Sequence, residues 1–149
     1  FDQELRFCSK SNHAFLGKLL PQDFIYNSDN YNTVSSSSQG SVNALNNFYS
    51  FIQKNLQEGT ECFIDIGAND TMLLKKFSNY GSNLIGVDPN VNSDDKNIIC
   101  IKDYLENVDL SSYVKGKKTF LSSHTLEHIY DPREFMRILS ESSTEEDQF

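Results

Sequence analysis

The sequence predicts a doubly wound α/β fold with a mostly parallel sheet. Three observations point there. From residue 41 onward, short apolar runs alternate with stretches of helical period, the order that builds parallel strands joined by crossovers. The runs are near-continuously apolar, as strands covered on both faces are. The first of them meets Gly67 at once and leads straight into a helix.

Residues 1–26 carry Leu5, Phe7, Phe15, Leu16, Leu19, Leu20 and Phe24 without a clear period. Residues 27–41 are polar, a linker by composition. Ser41 is the expected N-cap of a helix whose inner face is Val42, Leu45, Phe48, Tyr49, Ile52 and Leu56, and Gly59 is expected to end it. Residues 62–66 read as the first strand, 70–79 as a helix with Leu73, Leu74 and Phe77 inward, 83–88 as the second strand and 98–101 as the third. Residues 103–113 read as turn or short helix, and 119–122 as the fourth strand. Asp131 caps a last helix that opens at Pro132 and runs to about Ser140. There is no internal repeat. The fold class is Rossmann-like, halted after about four strands. A 1–40 N-terminal segment precedes a 41–149 domain that is incomplete at its end.

Bulk properties bound the function. A net charge of −8 with scattered basic residues argues against sequence-independent nucleic-acid binding. Lys115, Lys117 and Lys118 read as a solvated turn before a strand. No apolar run nears the roughly 20 residues of a membrane span, so no membrane partner is expected. No signal peptide opens the chain, and a cytoplasmic location is the default. Cys8, Cys62 and Cys100 form no CxxC pair, which speaks against a disulfide scaffold. The chain opens at Phe1 without Met and stops where an apolar strand is about to begin, so it reads as part of a longer protein.

The segment richest in chemistry is Phe63-Ile64-Asp65-Ile66-Gly67-Ala68-Asn69-Asp70-Thr71. Gly67 permits unusual φ and close approach of a ligand to the backbone. A dinucleotide loop would read GxGxxG. Here one glycine stands among Asp65, Asn69 and Asp70, and carboxylates facing a diphosphate repel it. A cationic ligand fits better, and S-adenosylmethionine carries an ammonium and a sulfonium. Asp88, in Gly86-Val87-Asp88-Pro89, lies 21 residues past Gly67 at the end of the second strand. It either accepts the ribose hydroxyls of an adenosine or merely caps the loop before Pro89.

The run from Phe63 to Pro89 resembles the first two motifs of class I S-adenosylmethionine-dependent methyltransferases. Ser122-Ser123-His124-Thr125-Leu126-Glu127-His128-Ile129-Tyr130-Asp131-Pro132 resembles their motif after the fourth strand. Asp29-Asn30-Tyr31, then Ser35-Ser36-Ser37-Ser38-Gln39 and an amphipathic helix, resembles the sugar C-methyltransferases more narrowly, which methylate a carbon of a nucleotide-linked sugar. That resemblance implies a cofactor site of Asp65, Gly67, Ala68, Asn69, Asp88, Pro89, Asp103 and Ser123, covered by Tyr31 and the Ser/Gln run. Asp103 would meet the adenine amine, or else cap the turn that follows it. Ser122, Ser123 and His124 would lie near the methyl group, with His124 or His128 as general base. His128 packing under the loop is the alternative, and Glu127 is expected to pair with a backbone N–H or with Arg133.

The chain departs from that family in three places. Thr71 stands where the loop has Gly, so a β-branched residue must fit a tight turn. Cys8 and His13 match only the end of the family's zinc module, and two ligands fall short of the four of structural zinc, so no metal is expected. The family's Tyr-x-Glu-His base motif does not occur in the 149 residues. The expected activity is methyl transfer to a small-molecule acceptor, a nucleotide sugar in the first instance. The alternatives are an O- or N-methyltransferase of another small molecule and a non-catalytic cofactor-binding domain. The chain alone is expected to show little turnover and, if its sheet edge is open, to associate as a homo-oligomer.

Overall fold

The computed structural model describes residues 3–26, 31, 33–114 and 116–149. The chain divides into two compact units, Phe1–Asn32 and Thr33–Phe149. The first contains an antiparallel hairpin, β1 (Leu5–Cys8) and β2 (His13–Leu16), followed by one helical turn, α1 (Gln22–Ile25). The hairpin leaves no period in the sequence because its large apolar side chains, Leu5, Phe7, Phe15 and Leu16, are all exposed. Backbone pairing and a few exposed side-chain contacts, such as His13 stacked on Phe15 and Arg6 paired with Glu4, define it. Cys8 and His13 face each other across its register.

The second unit is an α/β domain. Its four strands, β3 (Cys62–Ile66), β4 (Asn83–Val87), β5 (Ile98–Ile101) and β6 (Lys118–Ser122), are all parallel, in the order β5-β4-β3-β6. This is compatible with a Rossmann-like fold. Each face of the sheet has its own core. Phe63, Leu84, Ile98 and Leu121 pack with Leu45 and Ile52 of α2 (Gln39–Asn55) and with Leu73 and Leu74 of α3 (Met72–Lys75). Cys62, Ile64, Ile66, Ile85, Val87 and Phe120 pack with Phe135 and Leu139 of α4 (Pro132–Glu141) and with Leu105 and Leu110 of two 3₁₀ turns. Burial on both faces is why the strands read as unbroken apolar runs. Burial also pushes the Cys62 thiol up to about 12, which makes it an inert core residue.

Three helices differ from the sequence reading. The α2 helix begins earlier than expected, because Ser38 rather than Ser41 is its N-cap: the Ser38 hydroxyl accepts from the Ser41 N–H at 3.1 Å. It ends at Asn55, before Gly59, where the Gln148 side-chain amide donates to the Asn55 carbonyl. The helix expected over 70–79 shortens to α3 and a separate 3₁₀ turn, Ser78–Tyr80. The N–H groups of Lys76 and Phe77 reach the carbonyls three residues back, at Leu73 and Leu74, so α-helical pairing stops. The third helix, α4, starts as expected: the Asp131 carboxylate accepts from the N–H groups of Arg133 and Glu134. It runs one residue further than expected, to Glu141.

The C-terminal segment closes on the outer edge of β6. Phe120 N–H donates to Gln148 O and Gln148 N–H to Lys118 O, a parallel bridge. Asp147 accepts from Lys118 N–H and Thr144 N–H and pairs with the Lys118 ammonium at 3.0 Å, both side chains buried. Among the described residues, no helix is long and apolar enough to cross a membrane.

Candidate functional site

The strand order places the site. The chain leaves β3 for β4 and β5, then returns to the other side of β3 at β6. The strand order therefore reverses between β3 and β6, and folds of this kind take ligands beyond the carboxyl ends of the strands at such a point. The loop after β3 and the loop after β6 meet there.

Three residues of the β3 loop have left-handed backbone: Gly67 (φ +80°), Asn69 (+49°) and Thr71 (+56°). The place of a Cβ on Gly67 is filled by Thr125, whose hydroxyl donates to Ile66 O at 3.0 Å. The glycine therefore admits the neighbouring loop, where the sequence suggested a ligand. Ala68 is buried in the core against Gly86.

Thr71 bears the strain that its sequence position implied. It is wholly buried at φ +56°, a conformation costly for a β-branched residue. Its hydroxyl meets the Ser93 hydroxyl at 2.9 Å and donates to Asp70 O at 2.7 Å. With that hydroxyl gone, glycine should be favoured here. Thr71→Gly is expected to be more stable than Thr71→Ala by about 1 kcal/mol in urea unfolding, the reverse of their order in a helix. Equal or inverted stabilities would show that φ strain does not govern the position.

Asn69 and Asp70 bind the polar segment ahead of α2. Ser35 N–H donates to Asn69 Oδ1 (3.1 Å), Asn69 Nδ2–H to Thr33 O (2.9 Å) and Ser36 N–H to Asp70 Oδ2 (2.9 Å). Ser35–Ser37 forms a 3₁₀ turn. The linker expectation fails for residues 33–38, because two side chains of the β3 loop satisfy their backbone. Residues 27–30 and 32 lie outside the described residues. Tyr31 belongs to the N-terminal unit and packs edge-on against Tyr26, ring centroids 5.2 Å apart.

Two carboxylates mark the carboxyl ends of the central strands. Asp65 sits in β3, in register with Gly86 of β4 and Leu121 of β6. It is 3% exposed, and no donor of the described residues stands against its carboxylate. Since none of their side-chain oxygens is both sealed from solvent and without a hydrogen bond, it keeps a narrow opening to water. Burial, then the charges of Asp88 and Asp70, push it up to about 8. Asp88 follows β4 and accepts from Asn90 N–H (2.6 Å) and Asn69 N–H (3.3 Å). Burial raises its pKa, and these two bonds offset part of the rise. The capping role weighed for Asp88 is thus realised, and it ties the loop beyond β4 to the loop beyond β3. Pro89, beside it, is half-buried. Asp103 likewise caps its own turn, accepting from Tyr104 N–H and Asn107 Nδ2–H.

Beyond β6, Ser123 is half-buried and its carbonyl accepts from the Thr125 hydroxyl at 3.2 Å. His124 adopts φ +54° and its side chain is 77% exposed. Glu127 approaches His124 Nδ1 at 3.6 Å, so the side chain it faces is this histidine and not Arg133. His128 is exposed on the 3₁₀ turn Leu126–His128, its N–H donating to Thr125 O. His124, Thr125 and Glu127 border a groove of about 300 Å³ whose floor is apolar: Phe48, Leu121 and Phe135. Neither Asp65 nor Asp88 lines it. Among the described residues, no three potential metal ligands cluster.

Ser93 and Thr33 help to hold the site together and were not singled out from the sequence; Thr125 and the Ser35–Ser36 segment were, but not the bonds they make to Ile66, Asn69 and Asp70. A glycine after a strand announces a close approach but does not name the side chain that makes it. No protein-family model matches the chain, and no curated protein matches it.

Proposed function

We propose that residues 33–149 form the S-adenosylmethionine-binding part of a class I methyltransferase, of the sugar C-methyltransferase type. The observation that carries the reading is Asp65, an unpartnered carboxylate 3% exposed beside the switch point of the sheet. Ionising a carboxylate so nearly buried, with no donor against it, is costly, and a ligand ammonium would offset that cost. Asp70 and Asp88 add negative potential around it, which disfavours a diphosphate.

The residues present fit the cofactor at its two polar ends. Asp65 would hold the ammonium of the amino-acid portion. Asp88 receives one backbone N–H on each oxygen and keeps lone pairs for ribose hydroxyls. The cofactor would supply an electrophilic methyl group, and Asp65 and Asp88 would orient it. His124, with Glu127 beside its Nδ1, is better placed than His128 to take a proton from the acceptor at Nε2. The apolar floor of the groove at His124 favours a second reading of the acceptor. An apolar small molecule suits Phe48, Leu121 and Phe135 better than a nucleotide sugar does.

Calorimetry tests the cofactor reading. The chain is expected to bind S-adenosylmethionine and not NAD, and Asp88→Ala is expected to weaken binding by about 1.5–3 kcal/mol, the loss of hydrogen bonds to a charged group. Binding of NAD alone, or an Asp88→Ala variant that binds as tightly as wild type, would refute it.

A further inference from the structure

The fold imposes a condition on Asp65 that the cofactor reading does not by itself contain. We propose that the free protein holds Asp65 as a neutral carboxylic acid and that a ligand ammonium displaces its proton, so that binding releases one proton to solvent. The inference rests on the cofactor reading above for the identity of the ligand.

Among the described residues the geometry gives the charged carboxylate no protein group to pair with. Asp65 lies in the central strand between β4 and β6, and its carboxylate receives no N–H or O–H among the described residues. The titratable groups that act on it, Asp70 on its own loop and Asp88 after β4, are both acidic. Each of those two accepts backbone N–H groups, Asp70 from Met72 and Ser36 and Asp88 from Asn90 and Asn69. No cation is among the charges that act on it, and three cations of neighbouring elements are engaged elsewhere. Lys75 of α3 pairs with Asp94. Lys118 stands at the far end of β6, in register with Cys62, and pairs with Asp147. Lys76 bonds Asn46 of α2 and lies over Tyr49, the phenol that α2 packs against Phe77. Beyond β6, His124 and Glu127 face each other. Residues 33–36, docked on the loop, carry no charge.

Among the described residues no cation acts on Asp65, so a proton is what neutralises it in the free protein. Burial and two negative neighbours raise its pKa to about 8, which keeps the acid protonated at neutral pH. An arriving ammonium reverses the balance. The O–H bond breaks, the proton leaves to buffer, and an ion pair with the ligand takes its place. No other bond changes. Affinity for an ammonium-bearing ligand then rises with pH while Asp65 is the group titrating, close to tenfold between pH 6 and 7. The ligand's own α-ammonium stays charged over that interval.

Calorimetry of S-adenosylmethionine binding at pH 7, in buffers of different ionisation enthalpy, reads the proton directly. About one proton released per ligand is expected, and none from Asp65→Asn, which mimics the neutral acid. Infrared spectroscopy gives a second readout that needs no variant: the band of a protonated buried carboxyl, present in the free protein and lost on binding. Binding without proton release, or release that persists in Asp65→Asn, would overturn the inference and leave the cofactor reading standing. No binding from pH 6 to 7.5 would remove the cofactor reading and the inference with it.

Discussion

Asp147→Ala is expected to destabilise the chain by about 3–5 kcal/mol, the cost of breaking a buried ion pair by removing one partner. Asp147 does three things at once. It accepts the Lys118 and Thr144 N–H groups, and it neutralises the ammonium of a side chain that is 9% exposed. The substitution leaves Lys118 buried and unpaired at the first residue of β6 and frees the segment that bridges its edge. Urea unfolding measures the loss, and a second substitution, Lys118→Met, should restore much of it by removing the orphaned charge. The effect also depends on pH. Burial opposes ionisation of Asp147, but the two N–H bonds and the Lys118 ammonium outweigh it and hold its carboxyl below the usual range. A carboxyl depressed on folding contributes fully above its unfolded value, about 3.9, and its contribution fades as pH falls through the folded one. The gap between wild type and Asp147→Ala should therefore narrow in acid. Asp65 acts in the opposite direction. Its raised pKa favours the unliganded fold below the unfolded value, and that contribution is lost as pH rises toward about 8.

Gly67→Ala is expected to cost about 2–5 kcal/mol, from two separate terms. An L-residue at φ +80° pays roughly 1–2 kcal/mol. The new methyl also falls where the Thr125 hydroxyl and methyl lie, and overpacking costs typically 1–3 kcal/mol. The second term is separable. Thr125→Ser removes one of the clashing carbons and keeps the hydroxyl that bonds Ile66 O, and Thr125→Gly clears the space altogether. In a Thr125→Gly background, Gly67→Ala should cost only the φ term. Chemical denaturation of the four proteins of this cycle gives the coupling. Additive effects would show that the two loops do not meet at Gly67.

What the sequence revealed and what it hid follow from the kind of force involved. Strands β3 to β6 were legible because burial on both faces writes a continuous apolar run into each. The N-cap of α4 was legible because Asp131 and Pro132 act on their own backbone. The strain at Thr71 was legible as a β-branched residue in a glycine-like turn, and its φ of +56° fits that reading. Long-range hydrogen bonds left no trace. Nothing in Ser35 or Ser36 says that their N–H groups meet Asn69 and Asp70, 34 residues away. Nothing in Gln148 says that it caps α2 across the edge of β6. The exposed hairpin β1–β2 was hidden for a related reason, since pairing without burial imposes no period on the side chains.

The cofactor reading comes down to where one ligand sits. Crystals of the chain grown with S-adenosylmethionine, or with its demethylated product, test that directly through difference density. The account predicts density beyond the carboxyl ends of β3 and β4, with the ligand ammonium against the Asp65 carboxylate and the ribose hydroxyls against Asp88. Ligand density confined to the apolar groove of Phe48, Leu121 and Phe135, with Asp65 still unpartnered and Asp88 bonded only to Asn69 and Asn90, would contradict it.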